Sequence, residues 1–359
     1  MSEALKNNYD KEYVQRVARR TKENFKSFKE NEFVKFVLDK HWKDLELKDR
    51  MKKISNSLYE FLPKDYERSL KIILKTAPEF GGFEGMLFPD FVETYGFDKK
   101  NWEVSLSALE ELTKYSSSEF AIRPFIDTDA KRVFKYILKW AKSDNQHVRR
   151  LASEGSRPRL PWAMALSELK KDPSQILPIL EILKNDPELY VRRSVANNLN
   201  DISKDHPLIV IETAKKWLGK SEDTDWLIKH ALRTLLKKGE PKALKLFGYQ
   251  DIKSVSVKDI ILKKKSIKIG SSLDFNFSLN LKVESKLRIE YAIFYVKKNG
   301  SLSKKVFKVT EKTFSKGTVS FSKSQSFKEM STRKHYQGEH FISIIINGVE
   351  KKKIAFKVL

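Results

Sequence analysis

Two carboxylates, Glu154 and Asp201, sit among basic residues at helical spacing. They belong to three segments that align with one another: DNQHVRRLASEG from Asp144, DPELYVRRSVANNLND from Asp186 and EDTDWLIKHALRTLLKKGEP from Glu222. The apolar anchors Val148, Val191 and Ile228 lie 43 and 37 residues apart. Two, six and ten residues past each anchor stand Arg150, Glu154 and Pro158, then Arg193, Asn197 and Asp201, then His230, Thr234 and Lys238. Four-residue steps keep such positions on one helix face. Stacked equivalent helices would align these faces into a cationic strip with two carboxylates embedded in it. A surface built only to hold phosphates excludes anions, because each repels a polyanion. One reading is chemical: the carboxylates stabilise positive charge on a nucleotide whose bond is breaking. The other is structural: Glu154 pairs with Arg150, and Asp201 with Arg193 or Asn197, as surface pairs of small energetic weight. Spacing alone leaves both open.

The stretch Gly155-Ser156-Arg157-Pro158-Arg159-Leu160-Pro161-Trp162 follows the first carboxylate directly. Two prolines stiffen a turn that presents Arg157 and Arg159, and Pro161 marks the start of the next helix. Trp162 is either a packing residue or a flat apolar wall for a base or deoxyribose. Together with Arg149, Arg150, Arg192, Arg193, Lys229 and Arg233, Arg157 and Arg159 are the candidate phosphate contacts.

Two textures place these residues. From Asp10 to about Phe247 the apolar spacing is helical, as in Phe25, Phe28, Phe33, Phe36 and Val37. Asp144, Asp186 and Asp223 each precede a periodic run, as N-caps do. A period near 40 residues with two helices per unit is the pattern of HEAT-like solenoids. After Gly248 the period becomes two: Leu273, Phe275, Phe277, Leu279 and Leu281 alternate with polar residues. Strands are expected over 271–281, 286–296, 304–310, 318–321, 339–346 and 351–358. Asn299-Gly300, Lys316-Gly317, Gln337-Gly338 and Asn347-Gly348 mark turns between them. The expectation is an all-α HEAT-like solenoid over 1–249, followed by an all-β immunoglobulin-like sandwich over 250–359.

Charge points to the partner class. The chain carries 71 Lys+Arg against 47 Asp+Glu, net +24. From Asp251 onward the balance is 24 against 9, so the last 109 residues hold net +15. Such an excess favours nucleic acid and argues against a neutral protein-interaction scaffold. Cysteine is absent, which excludes disulfides and thiolate chemistry and suits the reducing cytoplasm. No apolar run is long enough for a membrane span, and the N-terminus lacks an apolar signal core. The six histidines form no HxxH or HExxH pattern, so no metal is expected. Gly81-Gly82 with Gly85 lacks the lysine of a phosphate loop, and no GxSxG elbow exists.

Longer stretches carry a resemblance. VRRLASEGSRPRLPWA (Val148 to Ala163), FPDFVETYG (Phe88 to Gly96), SLSALEELTKYSSSEFAIRPFI (Ser105 to Ile126) and DPELYVRRSVANNLNDISKDHP (Asp186 to Pro207) closely resemble the AlkC branch of the AlkC/AlkD DNA alkylation-repair glycosylases. WLIKHALRTLLKKGEP (Trp226 to Pro241) fits both branches. The resemblance covers roughly Asn8 to Tyr249. It implies a monofunctional, monomeric enzyme that holds duplex DNA in a concave basic face. Such enzymes excise cationic bases such as N3-methyladenine and N3-methylcytosine, leaving abasic sites, without metal or cofactor. By motif position it implies Glu154, Asp201 and Glu119 as active-site carboxylates, Trp162 as the aromatic and Arg150 as the companion cation. Some members carry an immunoglobulin-like C-terminal domain, in keeping with the strands read above.

The residue types suit that reaction. An N3-alkylated base already carries positive charge and leaves neutral, so no general acid is needed. The barrier is the oxocarbenium-like sugar, which a preorganised carboxylate stabilises while orienting water. Asp201 is the expected primary group, assisted by Glu154. The alternative is a non-catalytic protein that binds damaged or bent DNA.

Overall fold

A computed structural model of the chain describes residues 5–249, 252–329 and 334–359. Its helices are α1 Lys11–Asn24, α2 Glu30–Val37, α3 Leu47–Phe61, α4 Tyr66–Thr76, α5 Leu87–Tyr95, α6 Trp102–Leu112, α7 Arg123–Thr128, α8 Ala130–Trp140, α9 Gln146–Gly155, α10 Ser167–Lys171, α11 Leu177–Leu183, α12 Leu189–Ile202, α13 Pro207–Trp217, α14 Glu222–Ala231, α15 Arg233–Lys238 and α16 Pro241–Leu246. None of them is long and apolar enough to cross a membrane. The chain divides into two units, Met1–Val210 with Trp217–Ala231, and Ile211–Lys216 with Leu232–Leu359. The junction expected at 249/250 touches residue 250, which lies outside the described residues.

In the first unit, α9, α12 and α14 are the aligned segments. Their anchors Val148, Val191 and Ile228 are fully buried. Helix α9 packs on α12, and α12 on α14, as successive repeats do. Asp144, Asp186 and Asp223 do not serve as their N-caps. Asn145 caps α9, its side-chain oxygen accepting from the amides of His147 and Val148. Asp186 stands before α12, and its Oδ1 accepts from the Glu188 amide at 2.9 Å. Asp223 lies inside the first turn of α14. The periodic pattern locates a helix, but which oxygen meets its free amides depends on backbone geometry one or two residues wide.

The second unit holds the β-strands. β1 Val255–Val257, β2 Ile261–Leu262, β4 Ser272–Leu281 and β7 Gly317–Ser326 form one sheet; β3 Ser266–Ile267, β9 Val349–Val358, β8 Gly338–Ile346, β5 Ser285–Val296 and β6 Leu302–Phe314 form the other. β4 buries every second residue, as its alternation requires. Leu273, Phe275, Phe277 and Leu279 pack with Ile289, Tyr291, Ile293, Ile342 and Ile344 into one core. The three short strands β1, β2 and β3 carry too few residues for a period-two signal, and no strand was expected there.

Helices α15 and α16 belong to this unit. Phe247 O accepts from Lys286 Nζ at 2.8 Å, and the Tyr249 hydroxyl donates to Glu311 Oε1. The hairpin between β8 and β9 turns through Asn347 and Gly348, both at positive φ. Gly348 also meets the backbone of Gly239, the left-handed C-cap of α15. A Cβ on Gly348 would lie 2.0 Å from the Gly239 Cα. Gly348→Ala should therefore cost more than the roughly 1–3 kcal/mol of left-handed strain alone. Gly300, at φ +77 with nothing within 4 Å, gives the strain-only control. Urea denaturation of Gly348→Ala and Gly300→Ala should show the larger loss in the former.

Candidate active site

The expected carboxylates meet. Helix α9 delivers Arg150 and Glu154, its exit turn delivers Arg157, and α12 delivers Asp201 from the next repeat. Arg157 bridges the two acids: its Nη1 donates to Glu154 Oε1 at 2.6 Å and its Nε to Asp201 Oδ2 at 2.8 Å. Arg150 Nη1 donates to Glu119 Oε2 at 2.6 Å and its Nη2 lies 3.6 Å from Glu154 Oε1. Lys204 Nζ donates to Asp201 Oδ1 at 2.8 Å. The result is a ladder of alternating charge, Glu119–Arg150–Glu154–Arg157–Asp201–Lys204. Its inner rungs are dry, with side-chain exposure of 7% for Glu154, 9% for Arg157 and 2% for Asp201. Burial alone would lower the pKa of Arg157, but Glu154 and Asp201 outweigh it and hold it above the ordinary value. Glu119 and Glu154 do the same for Arg150.

Neither structural pairing expected from spacing is the main one. Glu154 binds Arg157 more closely than Arg150, and Asp201 binds Arg157 and Lys204 rather than Arg193 or Asn197. The Glu154 Oε2 accepts from Ser194 Oγ at 2.5 Å, across the α9–α12 packing.

Glu119 and Arg150 line an open cavity of about 450 Å³ with Phe83, Phe120, His147, Trp162 and Tyr190. Glu154 and Asp201 are not among its lining residues. Trp162 is 65% exposed, so its indole is a wall of this cavity and not a core residue. Pro161 and Trp162 form a turn, and the next helix begins only at Ser167. Trp162 takes φ +64, a left-handed conformation costly for a bulky side chain.

The candidate phosphate contacts split. Arg149 makes a two-point pair with Asp186, and Arg192 pairs with Asp223 while bonding the carbonyls of Asp186 and Pro187. Both tie one repeat to the next. Arg157 is taken up inside the ladder. Arg159 grips Asp205 in a two-point pair at the surface. Arg193 is exposed, with no hydrogen bond or ion pair among the described residues. Lys229 is exposed on α14, and Arg233 belongs to the second unit.

The comparisons fit this arrangement. A family model described as DNA alkylation repair enzyme matches residues 97–235, and one for the C-terminal Ig-like domain of the uncharacterised protein YhaZ matches 256–359. The uncharacterised protein YhaZ of Bacillus subtilis (strain 168) is 49% identical over 355 residues, 99% of each chain. The Pseudomonas fluorescens alkylpurine DNA glycosylase AlkC, solved on DNA containing an abasic-site analogue, is 36% identical with a TM-score of 0.94 over 99% of each chain. The chain belongs to the AlkC-type DNA alkylation-repair glycosylases. It is accordingly a DNA N-glycosylase with a C-terminal immunoglobulin-like domain.

Three features of this AlkC-type site carry no signal in the sequence. Arg123 is fully buried and donates to the carbonyls of Gly155, Arg157 and Met164, holding both ends of the turn that carries Trp162. Burial, with Arg157 adding to it, pushes its pKa down to about 10. Tyr190 is an exposed cavity wall whose ring lies 4.8 Å from the Arg150 guanidinium carbon. Ser194 fixes Glu154, as above. Arg123 sits within the quoted FAIRPFI stretch and Tyr190 stands one residue before the anchor Val191, but neither has a charge or spacing pattern of its own.

Removing a partner from a buried ion pair strands the other charge, at a cost of about 3–5 kcal/mol. Arg157→Met should destabilise the protein by that order, because two acids lose their shared cation. Arg159→Met, which breaks an exposed pair, should cost less than about 1 kcal/mol. Urea unfolding of both variants tests the contrast.

Proposed function

We propose that this glycosylase is monofunctional and excises cationic alkylated bases, N3-methyladenine and N3-methylcytosine, from double-stranded DNA, leaving abasic sites. The observation that carries the reading is the alternation of three carboxylates with three cations, buried at its inner rungs, beside an aromatic-walled cavity. Asp201 supplies the negative charge that steadies the oxocarbenium-like sugar, with Glu154 assisting, and Glu119 is the carboxylate open to the cavity. Each acid is already held by two donors, so no reorganisation is needed when charge develops on the sugar. Trp162 and Tyr190 give the damaged nucleotide an apolar, cation-attracting wall. The site is a shallow open cavity, which favours reaching the sugar in bent DNA over swallowing a flipped base. Such a site activates only bases that are already good leaving groups, so neutral lesions stay in place. The enzyme acts as a monomer and needs no metal or cofactor. Arg193, Lys229, Arg233 and Arg159 contact phosphates, Arg159 by exchanging its pair with Asp205 for one with DNA.

The sandwich acts as a second clamp on DNA. Its net +15 supports this, as does the outer face of the five-stranded sheet, where Lys353 Nζ lies 4.0 Å from the Phe294 ring centre and 4.6 Å from that of Phe341, and Lys304 Nζ 5.4 Å from that of Phe294. Cations stacked on aromatic faces suit contact with phosphate and sugar.

Duplex DNA treated with a methylating agent provides the test. Wild-type protein should release free N3-methyladenine and N3-methylcytosine. Asp201→Asn should lower the single-turnover rate by roughly 10²–10³-fold while DNA affinity persists. Binding without release of either base would favour the non-catalytic alternative for these lesions. Neutralising Lys304 and Lys353 together should make the slope of log affinity against log salt shallower, by about 1 for each phosphate they touch. An unchanged slope would remove that face from the clamp.

A further inference from the structure

The strain at Trp162 calls for a restraint. Its exposed indole has no core to hold it, and Arg123 reaches only the ends of the turn, at Gly155, Arg157 and Met164. The Trp162 carbonyl instead accepts from Lys48 Nζ, on α3, a residue 114 positions earlier in the chain. The same ammonium lies 4.7 Å from the ring centre of Phe120, which follows Glu119 and lines the same cavity. Helix α5 faces Lys48 and its neighbour Lys52 with two acids, Asp90, which is buried, and Glu93, which is half-buried. Burial pushes both carboxyl groups up, Glu93 to about 7 with Asp90 adding to the effect, while Lys48 and Lys52 pull them back. Lys48 is therefore a single cation in contact with the backbone of one cavity wall, the ring of another, and the field of an acid pair on a third element. Neither α3 nor α5 contributes to the charge ladder, so the chemistry described above leaves this lysine unexplained.

We propose that Lys48 is a positioning residue that pins the left-handed Trp162 peptide and so sets the indole at the mouth of the cavity lined by Glu119 and Arg150. The consequence for catalysis rests on the glycosylase reading above; the restraint itself does not. A side chain placed loosely by about an ångström can cost on the order of 100-fold in rate even when it takes no part in bond breaking. The restraint belongs to the reaction geometry and not to affinity, so it acts on kcat more than on KM.

The experiment uses the full chain labelled with 5-fluorotryptophan, whose six tryptophans give separate fluorine resonances, that of Trp162 being assigned from Trp162→Phe. Lys48→Met should move or broaden the Trp162 resonance and leave the other five in place, and Lys48→Arg should restore it. In base release from methylated duplex DNA, Lys48→Met should lower kcat by roughly 10- to 100-fold with KM little changed. Added to Trp162→Ala, it should lower kcat no further. An unmoved Trp162 resonance overturns the proposal, and so does a shift shared by all six tryptophans, which reports general loosening. A raised KM and shallower salt dependence with kcat intact would make Lys48 a phosphate contact instead. If wild-type protein released no methylated base, the glycosylase reading would fail while the fluorine spectra still decided the restraint.

Discussion

The charge ladder of the first unit depends on one arginine placed between two acids where water does not reach. Arg157 bridges Glu154 and Asp201, and all three are almost fully buried. Two buried carboxylates without a cation between them would lack a charge partner, which is costly in a dry site. With Arg157 between them, and Arg150 and Lys204 flanking, the ladder carries three negative and three positive charges. The acids are thus paired with cations inside the unit and add no net charge to the surface that must approach a polyanion. That resolves the conflict between carboxylates and a basic groove.

The helical repeat is what makes the bridge possible. Glu154 lies in the last turn of α9 and Asp201 in the last turn of α12, and the two helices pack as neighbouring repeats, so the two acids come close although they are not equivalent positions of the repeat. Ser194 and Asn198 knit that interface, Asn198 Nδ2 donating to the Ser153 carbonyl at 2.8 Å and Ser194 Oγ to Glu154. Arg157 must enter from outside the periodic pattern, on the turn after α9. Arg123 fixes that turn by binding its carbonyls with a guanidinium that has no carboxylate partner. Charge–carbonyl bonds therefore shape the turn, and charge–charge bonds inside it shape the site. The two sets share Arg157, whose carbonyl serves the first and whose guanidinium serves the second.

What the sequence reveals follows from the range of each interaction. Strand β4 was legible from end to end because alternation is local, and the anchors Val148, Val191 and Ile228 because burial repeats with the helix. Glu154 and Asp201 were legible as carboxylates out of place. Their partner was not, because Arg157 joins Asp201 across 44 residues and the same-face rule offers Arg193 or Asn197 instead. Arg149 and Arg192 look alike in VRR and each invites a phosphate, yet both are engaged by acids of the following repeat, Asp186 and Asp223. A doubled arginine beside an anchor puts one side chain on the groove face and the other into the next repeat. Only the stack of helices says which is which: Arg150 and Arg193 take the former place, Arg149 and Arg192 the latter.

This division bears on how the net charge of +24 can act. Much of the arginine in the repeats is committed to internal pairs, so it cannot account for attraction to DNA. The uncommitted excess lies in exposed lysines, and the sandwich is rich in these, with 24 Lys+Arg from Asp251 onward. Lysine suits attraction, because a hydrated, mobile point charge draws in a polyanion without fixing its register. Arginine, planar and able to bond at two points, suits the repeats, where it holds acids of neighbouring helices in fixed register. Arginine thus fixes the inner rungs of the ladder, while lysine supplies most of the positive charge of the sandwich.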